Sequence, residues 1–420
     1  MVNNGRIKEV MEDMGNNIIF PKSYILGSGE KPMKIDRIVI DGINGIKHLE
    51  INFNKRLNLI CGENGVGKTT ILRSIMQPFL CGENNCIKKH YGYDIGNINV
   101  FIEGEDCLHL CATEEFDMEE TTHYNSDIEA IDISDNILYF PTTRTIEYDK
   151  LSSLPSVYTK GEQDIHSALA LNTGVQQNIK SWFINRFIFS HVNNSLNKIQ
   201  LDNLKLSQHV IQLLDKNLRI SRVTPDFEIL IKDRENEVYF EMLSDGYKSC
   251  IFILFGIIKE IEIRFPNKKA IDFDGTIMVD EIDVHLHPQW QAKLVKVLKE
   301  TFPKAQIIAT THSPSVLQNA TAEEIIPLYK DENGDVHIKE LHLGEYGLQG
   351  WTLEEIMKDV MGMQSTTSDL YAQTIKEFDE AMYEENIPVI KEKYEILCKM
   401  LHPQSTLRQL LKIQMAGMEE

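Results

Sequence analysis

Residues Gly62-Glu63-Asn64-Gly65-Val66-Gly67-Lys68-Thr69 meet every fixed position of the phosphate-loop pattern G-x-x-x-x-G-K-[ST], and few short patterns restrict a fold so tightly. The pattern works only between a buried strand and the start of a helix, and the flanks supply both. Arg56 to Cys61 reads as the strand, and Thr70-Ile71-Leu72-Arg73-Ser74-Ile75-Met76 carries apolar residues at helical spacing. Glycines at such a turn let backbone N–H groups crowd around phosphate oxygens, and the helix N-terminus adds positive potential. Lys68 is expected to reach the β- and γ-phosphates, and Thr69 to hold Mg²⁺ through its hydroxyl. The chain is therefore expected to bind a nucleoside triphosphate within an α/β fold.

A length of 420 residues allows two or three domains, or one large core carrying an inserted lobe. With 42% apolar and 25% charged residues, the composition is that of an ordinary globular protein. No apolar run approaches the length of a bilayer and the N-terminus has no signal-peptide core, so a cytoplasmic protein without membrane contact is expected. Seven cysteines, an odd number, argue against a disulfide framework. Cys81-x4-Cys86 and Cys107-x3-Cys111 approach metal-ligand spacing without matching a zinc template, and they read as ordinary thiols.

The net charge of −20 disfavours indiscriminate contact of the whole surface with a phosphate backbone, but the charge is unevenly spread. Between Glu103 and Asp135 there are twelve Asp/Glu and no Lys or Arg. That stretch reads as a solvated acidic loop, with repulsion of nucleic acid as the sharper alternative. Between Val175 and Val223 the balance reverses: Lys180, Arg186, Lys198, Lys205, Lys216, Arg219 and Arg222 face only Asp202 and Asp215. This basic lobe, 175–223, is either a helix surface paired with acidic neighbours or a contact for DNA or RNA.

In chain order, residues 1–33 form an N-terminal extension ending in a Gly27-Ser28-Gly29 linker. Ile35, Ile38 and Ile40, an Asp41-Gly42 turn, then Ile46, Leu49, Ile51 and Phe53 predict a β-hairpin leading into the phosphate-loop strand. The first part of the nucleotide-binding core spans 34–149 and ends near Thr142-Thr143-Arg144, where an arginine could face nucleotide. Residues 150–223 read as an inserted, mostly helical lobe with an apolar cluster of Trp182, Phe183, Phe187 and Phe189. The second part of the core, 224–345, holds a strand pair, a helix from Ile251 to Ile261, two buried strands and a hairpin around Asn333-Gly334. From 346 to 420 a helical tail is expected, and from Glu345 onward it has fourteen Asp/Glu against seven Lys/Arg.

The run Thr276-Ile277-Met278-Val279-Asp280-Glu281 has the form of a Walker B strand. Asp280 is expected to hold the hydration shell of Mg²⁺ together with Thr69, and Glu281 to orient or deprotonate the attacking water. His312 ends the next buried strand, Ala305 to Thr311, in a position suited to sensing the γ-phosphate. Lys68, Glu281 and His312 are thus the candidate catalytic residues.

Leu243-Ser244-Asp245-Gly246-Tyr247-Lys248 resembles the signature motif of ABC-type ATPases. In that family the signature helix of one subunit faces the γ-phosphate held by another, so the resemblance implies an ABC-ATPase fold and a head-to-tail dimer around ATP. It assigns ATP binding to Gly62, Glu63, Asn64, Gly65, Val66, Gly67, Lys68, Thr69, Thr70, Ser244 and Gly246, and communication across the dimer to Asp283. Asp245 departs from the usual small residue, and an acid beside a phosphate site is unfavourable unless it points away. No sustained heptads separate the phosphate loop from the signature, unlike SMC-type chains. Val279 to Pro288, followed by Gln289-Trp290-Gln291, looks instead like soluble ATPases related to RecF and to overcoming-lysogenization-defect proteins. In that setting His285 and His287 belong to the turn after Walker B rather than to a metal site.

No glutamate and Asp-x-Asp set for a two-metal nuclease follows His312. The string Gly350-Trp351-Thr352-Leu353-Glu354-Glu355-Ile356-Met357, with Leu407 to Leu411 near the end, resembles the tail of stand-alone anti-phage ATPases. Among these is the Septu ATPase subunit, which also occurs in some retron operons and partners a separate HNH nuclease; the ATPase of the PARIS system is a second relative. The resemblance implies a homodimer or larger homo-oligomer that binds ATP and Mg²⁺, hydrolyses ATP and regulates a separate effector nuclease. Two rivals are a RecF-like DNA-repair ATPase and a PARIS-type scaffold or slow-turnover nucleotide clamp.

Overall fold

The computed structural model describes residues 33–79, 82–84, 87–104, 107–112, 122–124, 135–142, 150–151, 153–154, 179–363 and 365–416. The extension before Met33, most of the acidic stretch, Arg144, Cys81 and Cys86 lie outside the described residues. The chain runs through β1 (Ile35–Ile43), β2 (Ile46–Asn52), β3 (Leu57–Gly62), α1 (Lys68–Met76), β4 (Gly82–Asn84), β5 (Gly96–Ile102), β6 (Cys107–Ala112), β7 (Thr122–Tyr124) and β8 (Ile137–Phe140). It continues through α2 (Ile179–Phe189), α3 (Lys198–Leu214), β9 (Leu218–Val223), β10 (Ile229–Asp233), β11 (Asn236–Tyr239) and α4 (Asp245–Arg264). Next are β12 (Thr276–Val279), α5 (Pro288–Thr301), β13 (Gln306–Thr310), β14 (Ile325–Lys330) and β15 (Val336–Ile338), then α6 (Asp369–Tyr383), α7 (Ile387–Met400) and α8 (Thr406–Ala416).

The sheet that carries the site has the order β15-β14-β3-β13-β12-β8. All its neighbours pair in parallel except β15, which lies antiparallel at one edge. Parallel strands are buried on both faces and read as continuous apolar runs, as β3, β8, β12 and β13 do. Side chains alternate faces with period two. Leu57, Leu59, Leu138, Phe140, Ile277, Val279 and Ile307 therefore join one core with residues of α2, α3, α4 and α5. Ile60, Ile137, Tyr139, Met278 and Ile308 point into the other, shared with α1 and the antiparallel sheet β2-β1-β5-β6. The Gln306 side chain fastens that antiparallel sheet to β13, accepting from the Ile35 amide at 2.8 Å and donating to the Ile35 carbonyl at 2.8 Å.

The first hairpin turns at Asn44-Gly45 and not at Asp41-Gly42, with Ile43 paired to Ile46 and Asp41 to His48. Asn44 takes the left-handed conformation, φ 48°, that asparagine tolerates in a tight turn. Gly42 stays inside β1 at φ +62°, and the Tyr93 ring fills the space where a Cβ would stand, 2.6 Å from Cδ1. The helical reading of the lobe holds for α2 and α3 but stops at Leu214, beyond which β9 joins the sheet β11-β10-β9. Phe183 stacks on Phe187 and Phe255, and Trp182 meets Phe255 edge-on, whereas Phe189 is 38% exposed and stands outside the cluster.

The packing divides the chain into two units, one ending at Gly362 and one beginning at Met363. The first includes the segment after β15, because Leu348, Ile356, Val360 and Met361 are buried in the same core as the helices around the sheet. The second has its own small core of Phe378, Ala381, Ile390, Leu397, Leu411 and Met415.

Candidate functional site

The phosphate loop joins β3 to α1. Its three glycines, Gly62, Gly65 and Gly67, all take a positive φ that residues with a side chain rarely adopt, and Gly62 is required by space as well. Gly62 lies at φ +141°, where a Cβ would stand 2.2 Å from the Leu328 carbonyl oxygen. Gly67, at φ +104°, opens α1 without any side-chain cap, so the first amides of the helix have no side-chain acceptor from Gly67. Glu63, Asn64 and Gly65 are exposed, Val66 is buried, and Thr70 sits half-buried in the first turn. The Lys68 ammonium is drawn back over the loop, donating to the Gly62 carbonyl at 3.0 Å and to the Glu63 carbonyl at 2.8 Å. Burial holds its pKa below the ordinary lysine value, while the neighbouring Cys61, Glu281, Asp280 and Asp283 work in the opposite direction. Burial also pushes the Cys61 thiol up to about 12, which leaves it inert beneath the loop.

Two parallel strands bring the remaining groups to this loop. Asp280 follows β12 and is buried, and the Thr69 hydroxyl donates to it at 3.0 Å (Oδ2) and 3.2 Å (Oδ1). Thr310, the last residue of β13, donates its hydroxyl to Asp280 Oδ1 at 2.6 Å and accepts the Glu281 amide at 2.6 Å. One threonine thus fixes both members of the acidic pair. Glu281 itself has φ 46°, a left-handed conformation that costs a non-glycine residue energy and that this bond helps to hold. Asp283 Oδ1 accepts from the Thr311 hydroxyl at 2.6 Å and from the His312 amide at 3.1 Å, so it is tied to the histidine of its own chain. His312 is partly buried, and burial first, then the Lys68 charge, depress its pKa below the ordinary value; Asp283 and Asp280 partly offset them.

Lys68, Thr69, Asp280, Glu281, Asp283 and His312 are therefore brought together at the ends of β3, β12 and β13. Ser244 and Gly246 are, among the described residues, not bonded into this cluster. They open α4, and the Gly246 backbone lies against the turn after Walker B, its Cβ position 3.6 Å from the His285 oxygen and 3.9 Å from Trp290 Cδ1. Ser244 is the N-cap of α4 in an extended conformation, but its side chain makes no capping bond. The opening turn consequently keeps uncommitted donors. Asp245 does not burden it with a free negative charge: Lys248 pairs with it at 2.7 Å and holds its carboxyl below the usual range.

Sequence reasoning missed Thr310 and Thr311 as members of the site. The signal was present in the doublet before His312, because a hydroxyl at the end of a buried strand needs a partner. His287 acts structurally, its Nδ1 accepting from the Gln289 amide as the N-cap of α5, with Pro288 in the first turn. Among the described residues no group of three or more His, Cys, Asp or Glu could hold a metal ion. Of the basic lobe, Lys180 is spent on Glu228 and Glu241 at 2.6 Å each and Arg186 on Glu262 at 2.6 Å, while Arg222 pairs with Glu237 at 3.1 Å. Lys198, Lys205, Lys216 and Arg219 are exposed. No helix among the described residues is long and apolar enough to cross a membrane.

Two family models match the chain. One is described as an AAA ATPase domain and covers residues 33–135; the other is described as an AAA domain, putative AbiEii toxin, Type IV TA system, and covers 114–318. The Septu protein PtuA of Bacillus thuringiensis is 43% identical over 391 residues, covering 91% of this chain and 98% of that protein. The Retron Ec83 probable ATPase of Escherichia coli is 30% identical over 171 residues, covering 40% of this chain and 30% of that one. Among solved structures, the SMC head bound to the C-terminal winged-helix domain of ScpA aligns with TM-score 0.47 and 16% identity, over 73% of this chain and 98% of that one. A likeness that spans nearly the full length of both proteins, added to a phosphate loop and acidic pair in bonding contact, settles the family: this chain belongs to the Septu PtuA family of AAA-type ATPases.

Proposed function

We propose that the chain hydrolyses ATP as a head-to-tail homodimer and uses that cycle to regulate a separate effector nuclease, of HNH type, in anti-phage defence. The observation that carries the ATPase reading is the convergence of Thr69 and Asp280, 3.0 Å apart, beside Glu281 and His312. Thr69 and Asp280 offer hard oxygen donors, the set that suits Mg²⁺, which relies on substrate phosphates and water for its other ligands. When bound, Mg²⁺ would neutralise charge on the β- and γ-phosphates. Lys68 leaves two carbonyls to meet the triphosphate. Glu281, held by Thr310, is aimed to orient the attacking water. His312, kept neutral by its surroundings, can accept or donate a hydrogen bond at the γ-phosphate edge.

The dimer reading rests on the signature turn. Uncapped amides at the start of a 20-residue helix favour an anion, and the phosphate cluster of the same chain does not use them. A second copy turned head to tail would supply that anion. The effector reading rests on family membership. Mixing Lys68→Ala with Ser244→Arg protein tests the shared site: a mixed dimer retains one pocket with both halves intact, so ATP turnover should reappear on mixing. A mixture no more active than either variant alone would exclude the head-to-tail pocket.

A further inference from the structure

We propose that Tyr247 is a positioning residue that locks the signature turn to the end of the basic lobe, so that this turn engages phosphate only when α3 is in place. Three helices meet at this side chain. Its hydroxyl donates to Asp215 Oδ2 at 2.5 Å, and Asp215 is the C-cap residue of α3. Its ring lies 4.1 Å, centroid to centroid, from that of Trp290 in the first turn of α5. Trp290 is in turn covered by Lys293, with Nζ 5.1 Å from the ring centroid. Asp215 is held firmly on its own side, since its Oδ1 accepts from the Asn217 amide at 2.9 Å.

The need for such a lock follows from the opening of α4. The Ser244 side chain does not cap its helix. The turn that carries Ser244 and Gly246 is held from within by the helical bond of the Lys248 amide to the Ser244 carbonyl at 3.1 Å and by the Lys248–Asp245 pair, neither of which fixes it to the rest of the fold. Donors at a phosphate must be placed to within a fraction of an ångström, and an error of about 1 Å costs about 100-fold in rate. The Tyr247 bond and stack supply that placement from outside the turn. They set it relative to α5, which follows the Walker B turn, and relative to α3, which carries the exposed Lys198 and Lys205. Burial and the Asp215 carboxylate raise the phenol above its ordinary value, so it stays a donor at working pH. A shift of α3 would thereby move the signature turn without touching the phosphate loop.

This inference rests on the head-to-tail ATPase reading, and the full-length chain can separate the two. Tyr247→Phe keeps the ring on Trp290 and removes only the hydroxyl; Asp215→Ala removes the acceptor, and Asp215→Asn keeps one. Tyr247→Phe and Asp215→Ala should each lower kcat about tenfold, the effect of one lost charge-assisted bond, with affinity for a fluorescent ATP analogue unchanged. Asp215→Asn should restore most of the rate. In a Glu281→Gln background, Tyr247→Phe should weaken ATP-dependent dimerisation, read by mass photometry, to a similar degree. Wild-type turnover in Tyr247→Phe, or a loss that appears equally in nucleotide affinity, would overturn the inference while leaving the ATPase reading intact. A wild-type chain that neither dimerises with ATP nor hydrolyses it would remove both.

Discussion

Thr310 shows how much of this site hangs on an unremarked hydroxyl. It is fully buried, and it spends its single proton on Asp280 while its lone pair takes the Glu281 amide. Thr310→Val keeps the shape of the side chain and leaves both partners short of a bond. We expect kcat to fall about 10- to 100-fold in a steady-state assay, from a loss of about 1–3 kcal/mol, with nucleotide affinity little changed. His312 has a pH signature with a definite sign. Its folded-state pKa is depressed, so the unfolded chain binds its proton more readily, and the contribution to stability falls as pH drops below about 6.5. The melting temperature of the wild type should therefore decline between pH 7.5 and pH 5.5 more than that of His312→Asn. Equal declines would show that His312 does not titrate differently in the two states.

At the scale of elements, α4 is the piece whose sequence says least about its surroundings. Its apolar run predicts a buried helix, yet Lys259, Glu260, Glu262 and Arg264 are buried in its last two turns as well. They are tolerated because they are paired. Glu262 receives Arg186 at 2.6 Å, the Trp182 indole N–H at 3.0 Å and Asn203 at 3.2 Å, and Arg264 pairs with Glu260 at 3.2 Å. Glu262 thus ties α2 and α3 to α4. Glu262→Ala should destabilise the chain by about 3 kcal/mol in urea unfolding, since it strands a buried guanidinium, and Glu262→Gln should cost less because it keeps an acceptor. An unchanged midpoint for Glu262→Ala would show that Arg186 finds water or another carboxylate.

At the scale of the whole molecule, the division at Gly362 separates nucleotide chemistry from the last three helices. The segment from Leu348 to Met361 is part of the first unit's core, so a cut at 346 would expose it, whereas a cut after Gly362 would not. A chain ending at Gly362 should keep wild-type ATP turnover while failing to retain the effector on co-purification. Loss of turnover would mean that the last helices are needed for the catalytic cycle itself. Glu281→Gln tests the alternative of a slow clamp: in a working ATPase it should trap ATP and stabilise the dimer, and in a clamp it should change little.

The parts of the site that depend on local order could be read directly. A glycine loop between strand and helix, an acidic pair after an apolar strand, and a histidine after the next are fixed by spacing, because each strand end delivers its next residues to the same edge of a parallel sheet. The hairpin at Asn333-Gly334 is local in the same way: the Asp331 side chain accepts from the Asn333 amide at 2.9 Å and the Asp335 amide at 2.8 Å. Contacts between distant residues were not legible. The Thr310 relay depends on two strands lying side by side, and the Tyr247–Asp215 bond spans 32 residues. Gly42, read from sequence as part of the first turn, instead stays within β1 with the ring of Tyr93, far along the chain, packed against it. Sequence alone therefore determined which residues could carry phosphate chemistry and in what order they come. Only the tertiary structure decided how they are held, because the bonds that aim them join segments whose proximity is set by packing and not by spacing.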